Sequence, residues 1–210
     1  METQEGKKKS VETDHSTVRN AHTLPAGTET GIILHKILEN IPFHLALGHD
    51  NQQILRSKIL KFVQDTPYAE WESVISEMII TTLTTPLTGQ SFCLADLDEN
   101  KIYRECEFYY PSHKNYMKGT IDLCFEHEGE YYLVDWKTNR LGDNTENYHA
   151  KAMEEAIKIN HYDVQAGIYA EALQRYLTIF YNQPKQCNGI YYLFIRGIGP
   201  STGIWKQNIC

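Results

Sequence analysis

The sequence contains no run approaching the eighteen or more apolar residues of a membrane-spanning helix. Its opening, METQEGKKKS, carries basic residues without the apolar stretch of a secretory signal, so a cytoplasmic protein is expected. There is no CxxC pair, and the five cysteines (Cys93, Cys106, Cys124, Cys187 and Cys210) are odd in number and widely spaced. That argues against zinc, an iron–sulfur cluster or a disulfide framework and leaves reduced packing thiols. The phosphate-cradling GxxxxGK[ST] loop is missing, so these residues do not hydrolyse ATP. HxH and HExxH are missing as well, which ranks a small-molecule metallohydrolase last. Basic excess is also lacking. Twenty Lys and Arg against 27 Asp and Glu give a net charge of −7, which argues against a protein whose whole surface neutralises phosphates. A carboxylate-rich site served by a basic track on other domains or chains remains open.

What is present is the balance of a globular chain, 41% hydrophobic and 22% charged over 210 residues, enough for one domain or at most two. Residues 1–26 are polar, include the run Lys7–Lys9 and lack apolar periodicity, so they read as a flexible tail or linker ahead of a domain over 27–210. From Thr28, TETGIILHKILENI predicts a helix with Thr28 as N-cap and His35 one turn after Gly31. Two more amphipathic helices are expected over about 52–65 and 70–83. Beyond TTPLTG the pattern turns β-like. SFCLADL and KIYRECEFYY form one expected strand pair and KGTIDLCFEH with EYYLVDWKT another, followed by a long helix over about 161–180 and a last strand, GIYYLFIR. The class is α/β, with a central mixed sheet flanked by helices.

The second strand pair carries the chemistry. With its turn at Glu128-Gly129, Asp122 faces Asp135, Leu123 faces Val134, Phe125 faces Tyr132 and Ile121 faces Trp136, which places the acids on one face and an apolar set on the other. Opposed carboxylates roughly 5 Å apart at Cβ repel unless something neutralises them, and a divalent cation does so. Lys137 points from the acids' face. Magnesium prefers hard oxygen ligands and keeps several waters, so such a site can hold a phosphate and activate a water. The bland alternative is a surface hairpin with solvated acids and a salt-bridging lysine.

The residues Asp122 and Asp135-Trp136-Lys137 resemble the PD-(D/E)XK nuclease signature, which is short. Their surroundings are more specific: GTETGIILHKILE (27–39), RECEFYYP (104–111), YMKGTIDLCFEHEGEYYLVDWKTNRLG (116–142), YDVQAGIYAEALQRYL (162–177) and YLFIRG (192–197) together are similar to the RecB nuclease domain family. The resemblance covers nearly everything after residue 26. It implies a restriction-endonuclease-like core and a magnesium-dependent DNA exonuclease, with manganese able to substitute, acting on double-strand ends in recombinational repair. It implies metal ligation by His35, Asp122, Asp135 and the Trp136 carbonyl, and catalytic roles for Asp122, Asp135 and Lys137. Glu107 is implied as an active-site acid, with Glu105 sharing its strand parity. Gln165 and Tyr169, one turn apart on the long helix, are implied beside the scissile phosphate, in place of a purely aromatic stripe with Tyr162 and Tyr176. Lys118 is a candidate phosphate contact, and Gly119 a point of close backbone approach. The implied partners are DNA, a RecB helicase portion and RecC- and RecD-like subunits, in a bacterial cytoplasm. Helicase motifs do not precede the domain, and a cut-out domain is preferred over a split chain or a stand-alone relative. Stand-alone relatives often carry a cysteine-ligated iron–sulfur cluster, for which this sequence offers no suitable spacing. A catalytically silent DNA-binding or scaffold module is the alternative; such modules usually lose the acids or the lysine, and this chain retains them.

Overall fold

The computed structural model describes residues 18–112, 115–181 and 187–209; the Lys7–Lys9 run and Cys210 lie outside them. Three helices come first, α1 (Thr28–Asn40), α2 (His49–Val63) and α3 (Glu72–Thr84). Then follow β1 (Ile102–Ser112), β2 (Asn115–His127) and β3 (Glu130–Lys137), the helices α4 (Ala150–Ile159) and α5 (Tyr162–Tyr181), and β4 (Cys187–Phe194) with β5 (Ile204–Gln207). The five strands make one mixed sheet in the order β1-β2-β3-β4-β5. Only β3 and β4 run parallel. The parallel step needs a crossover, which α4 and α5 supply.

The sheet is buried on both faces. Ile33, Leu34, Ile37 and Leu38 of α1 and the apolar stripes of α2 and α3 pack on Leu123, Phe125, Tyr132, Val134, Trp136 and Tyr191. Met153 and Ile157 of α4 and Ala166, Tyr169, Leu173 and Leu177 of α5 pack on Ile121, Cys124, Leu133, Tyr192 and Phe194. Two apolar layers therefore clamp β3 and β4, and Leu133, Val134 and Tyr192 have no measurable exposure.

Several expectations need correction. SFCLADL is not a strand: it holds a 3-10 turn at Leu94–Asp96, and Phe92, Cys93, Leu94 and Leu97 are buried as plugs under the first helical layer. β1 pairs with β2 instead. Gly27, not Thr28, occupies the N-cap position of α1, with no side-chain cap. Within the segment read as a tail, residues 18–26 are packed, because Leu24 is 1% exposed and belongs to the core. The β2–β3 hairpin turns where expected, through Glu128 (φ 53) and Gly129 (φ 86), the two left-handed residues of a type I′ turn.

Candidate active site

The hairpin register is Leu123↔Val134, Cys124↔Leu133 and Phe125↔Tyr132, as the alternation predicts, but the ladder stops at Leu123↔Val134. Beyond it β2 stays with β1, while β3 continues alongside β4. The sheet forks, and Asp122 and Asp135 stand on the two prongs. Glu105, opposite Asp122 on β1, has a left-handed φ of 48, a conformation that interrupts regular strand alternation. The alternation on β2 breaks at the same place: Leu123 faces the first helical layer, whereas Ile121 and Cys124 both pack on the α4–α5 side. Ile121 and Trp136 therefore sit in opposite cores and do not pair. Asp122 and Asp135 do not project from one face either; they reach the fork from different sides.

At the fork the exposed edge of β3 is satisfied by side chains. The Trp136 amide donates to Asp122 Oδ2 at 2.8 Å, and His35 Nε2 lies 3.1 Å from the Trp136 carbonyl. His35 Nδ1 is 3.5 Å from Asp122 Oδ1. The histidine reaches this edge because α1 passes close to the end of β3: a Cβ on Gly31 would lie 3.3 Å from Thr138 Oγ1. One turn further on, the side chain of position 35 meets Trp136. His35, Glu105 and Asp122 each offer a ligand atom, all within 4.8 Å of one another. His35 and Glu105 border a cleft of about 740 Å³ shared with Gly31, Lys36, Glu39 and Arg140.

Asp135 and Lys137 approach from the α5 side and are almost sealed, 2% and 8% exposed. Lys137 Nζ lies 2.5 Å from Asp135 Oδ2 and donates to Gln165 Oε1 at 3.2 Å. Its ammonium sits 3.4 Å from the Tyr162 ring centroid, where a ring face stabilises a cation. Gln165 Nε2 in turn donates to Tyr169 Oη at 2.6 Å. Gln165 is thus an amide whose two ends are both used, linking the lysine to the tyrosine. Phe108 holds Tyr169 from the other side, with ring centroids 5.8 Å apart. Gly119 makes room for it, since a Cβ there would come within 2.5 Å of the Phe108 ring. The close approach at Gly119 is by a side chain, not by backbone. Tyr176, by contrast, is 59% exposed and belongs to no core stripe.

The electrostatics are those of a site crowded with negative charge. Burial, then the charge of Asp122, pushes the Asp135 carboxyl up to about 6 despite Lys137. Glu105 is raised by burial, then by Asp122 and Glu39. For His35 burial opposes the charged form, but Asp122, Asp135 and the Trp136 carbonyl outweigh it, and its pKa is raised. Asp135 Oδ2 is buried with no aligned hydrogen-bond donor among the described residues; its contact with Lys137 is an ion pair alone. The two carboxylates and imidazole of Asp122, Glu105 and His35, with the Trp136 carbonyl beside His35, are a mainly oxygen donor set that fits a divalent cation of the magnesium or manganese kind.

Of the candidate residues, the structure brings together His35, Asp122, Asp135, Trp136, Lys137, Gln165 and Tyr169. Glu107 is exposed one rung further along β1, opposite Thr120, and the acid gathered with His35 and Asp122 is Glu105. The two share a strand face, so alternation alone does not separate them; the left-handed residue that selects Glu105 leaves no mark in an apolar pattern. Lys118 is exposed two rungs beyond, opposite Tyr109. Sequence reading gave no role to Arg196, which is 2% exposed. It donates to the backbone carbonyls of Thr138, Ala21, Leu24 and Pro25 at 2.7–2.9 Å, tying the residues after Lys137 to the segment that leads into α1. Its place in YLFIRG, a charge closing an apolar strand, is the signal that could have found it. A larger groove of about 940 Å³, between β1 and α5, is lined mainly by aromatic and aliphatic side chains such as Tyr103, Phe108, Tyr110, Leu173 and Phe180, apart from the gathered acids.

No protein-family model matches the chain. Among curated proteins it is similar to the RecBCD enzyme subunit RecB of Chlamydia pneumoniae, 38% identical over 177 residues, which cover 83% of this chain and 16% of the relative. The subunit of the same name from Escherichia coli K12 is 30% identical over 220 residues, 88% of this chain and 18% of the relative. That of Haemophilus influenzae is 29% identical over 221 residues, 89% and 18%. The chain spans less than a fifth of the length of these relatives.

Proposed function

Since the chain belongs to the RecB family over this part of its length, we propose that it is the nuclease domain of a RecBCD-type enzyme, a metal-dependent deoxyribonuclease that trims DNA ends. The observation that carries this reading is the fork where β2 parts from β3: His35, Glu105 and Asp122 offer ligand atoms within 4.8 Å of one another, and Asp135 with its ion-paired Lys137 stands on the other prong. The proposed metal ligands are His35, Asp122, Asp135 and the Trp136 carbonyl, with Glu105 completing the acidic set in place of Glu107. Magnesium bound there would supply Lewis acidity and a water of lowered pKa.

The remaining work falls to the chain's own side chains. Lys137, paired with Asp135 and set against the Tyr162 ring, places a cation where negative charge develops as a phosphodiester is attacked. Gln165 orients that ammonium and holds the Tyr169 hydroxyl toward the substrate. Lys118 contacts phosphate away from the cleft. DNA and the other subunits of a RecBCD-type complex are the partners in this reading, and no described helix is long and apolar enough to cross a membrane.

The test is digestion of plasmid and linear DNA with magnesium, comparing wild type with Lys137→Ala and Asp122→Ala. Cleavage by wild type and loss of at least a hundredfold in both variants is expected. An inert wild type that still binds DNA would make the domain a scaffold, and an active Asp122→Ala would remove the fork from the chemistry.

A further inference from the structure

Past the fork, β1 and β2 continue as a two-stranded arm. Cys106 and Phe108 pack toward α5, and the Tyr110 hydroxyl lies against Ile168 and Glu171 of that helix. The alternate positions Glu107, Tyr109 and Pro111 therefore face the other way, to the side where α1 carries His35. Their partners across the ladder are Thr120, Lys118 and Tyr116. Successive rungs are two residues, about 6.8 Å, apart. From the Glu105–Asp122 rung the arm thus presents Glu107 with Thr120, then Tyr109 with Lys118, then Tyr116.

Tyr109 and Tyr116 are 65% and 63% exposed, yet their rings lie parallel, with centroids 4.7 Å apart and an interplanar angle of 5°. The stack is ordered but open to solvent, and a lysine shares its rung. The polar groups are divided between the strands. Thr120 and Lys118 follow each other along β2, while Glu107, which would repel a phosphate, lies on β1 beside Tyr109.

We propose that this arm is a subsite for single-stranded DNA leading to or from the cleft, with the sugar-phosphate backbone tracking Thr120 and Lys118 on β2 and an unpaired base stacking on the open face of the Tyr109–Tyr116 pair. Every base has a π-face, so such a contact is tolerant of sequence. Lys118 supplies phosphate attraction on this arm of a chain whose net charge is −7. The Tyr109–Lys118 rung lies roughly 14 Å from Asp122, so the stacked base sits a few nucleotides from the bond being cut. A base carboxylate contact at Glu107, accepting from an exocyclic amine, is compatible with that path.

This subsite rests on the nuclease reading, and its test keeps the two apart. The full chain, with calcium in place of magnesium, is titrated with fluorescein-labelled oligodeoxythymidylates of two and sixteen nucleotides, and cleavage is measured separately with magnesium. The Tyr109→Ala/Tyr116→Ala double variant, checked for fold by circular dichroism, is expected to bind the longer strand at least tenfold more weakly. Tyr109→Phe/Tyr116→Phe should bind like wild type. For the two-nucleotide strand, too short to reach from cleft to stack, the alanine and wild-type proteins should be equal. A wild type that cuts DNA while the folded alanine variant binds the longer strand as tightly overturns the subsite alone. A wild type that neither binds nor cuts overturns the nuclease reading and the subsite with it.

Discussion

Lys137 is the residue on which opposing forces meet most closely. Its ammonium compensates a carboxylate that is 2% exposed, and breaking a buried pair by removing one partner costs about 3–5 kcal/mol. Asp135 has an escape, because a carboxyl whose folded pKa is raised can take up a proton. The folded state then binds more protons than the unfolded state in the window above the ordinary carboxylate value, so stability falls as pH rises through it. With Lys137 present, burial and the charge of Asp122 push the Asp135 carboxyl up to about 6, and removing the lysine moves the window further upward. Lys137→Ala measured in EDTA should therefore melt only slightly below wild type at pH 6 and clearly lower at pH 8. Equal losses at both pH values would mean that the lysine stabilises by packing and not by charge. At this scale the sequence was partly readable: the DxK spacing and the Gln165–Tyr169 turn are local patterns. Glu105 was not, because its selection over Glu107 depends on a left-handed backbone angle, and Arg196 was not, because its four acceptors lie 58–175 residues away.

At the scale of elements, α1 and β3 must approach closely for His35 to meet Trp136, and Gly31 is the contact that permits it. A Cβ there would sit 3.3 Å from Thr138 Oγ1, tight enough that a larger side chain pushes the helix outward. Gly31→Val is expected to weaken manganese binding in calorimetry at least tenfold while shifting the melting temperature only a few degrees, since each kcal/mol corresponds to about 2–4 °C in a chain of this size. Unchanged affinity in the folded variant would mean that α1 does not set the histidine's reach. The hairpin was legible because alternation and an I′ turn fix register locally. The fork was not, since the apolar–polar order of β2 in the sequence runs on through the point where its pairing with β3 ends. SFCLADL misled for a related reason: apolar residues read as a strand when they are in fact plugs filling a layer. In α4, Met153, Ala156 and Ile157 carry helical spacing, so the sequence does hold a signal for a helix between β3 and α5. β5 is four residues long, too short for a period to register.

For the whole molecule, mutual repulsion at the fork means that the metal-free fold carries an unfavourable charge cluster that a cation relieves. A ligand that binds only the native state stabilises it by about 2.7 kcal/mol at a hundredfold excess over Kd, or roughly 5–11 °C here. Manganese should therefore raise the melting temperature of wild type by that order and leave Asp122→Ala where it was; a rise of the same size in the variant would place the cation elsewhere.

The Trp136 amide, finally, gives the molecule a signal of its own. Its hydrogen bond runs to the Asp122 carboxylate and not to a backbone carbonyl, so its environment depends on what that carboxylate is doing. When Asp122 turns its oxygens to a cation, the amide proton loses electron density from its acceptor and becomes easier to exchange. In an ¹⁵N-resolved spectrum the Trp136 resonance should move on titration with magnesium and its exchange with deuterium should quicken, while Leu133 and Val134, held within the strand ladder, stay still. A Trp136 signal indifferent to magnesium would mean that Asp122 serves the backbone alone.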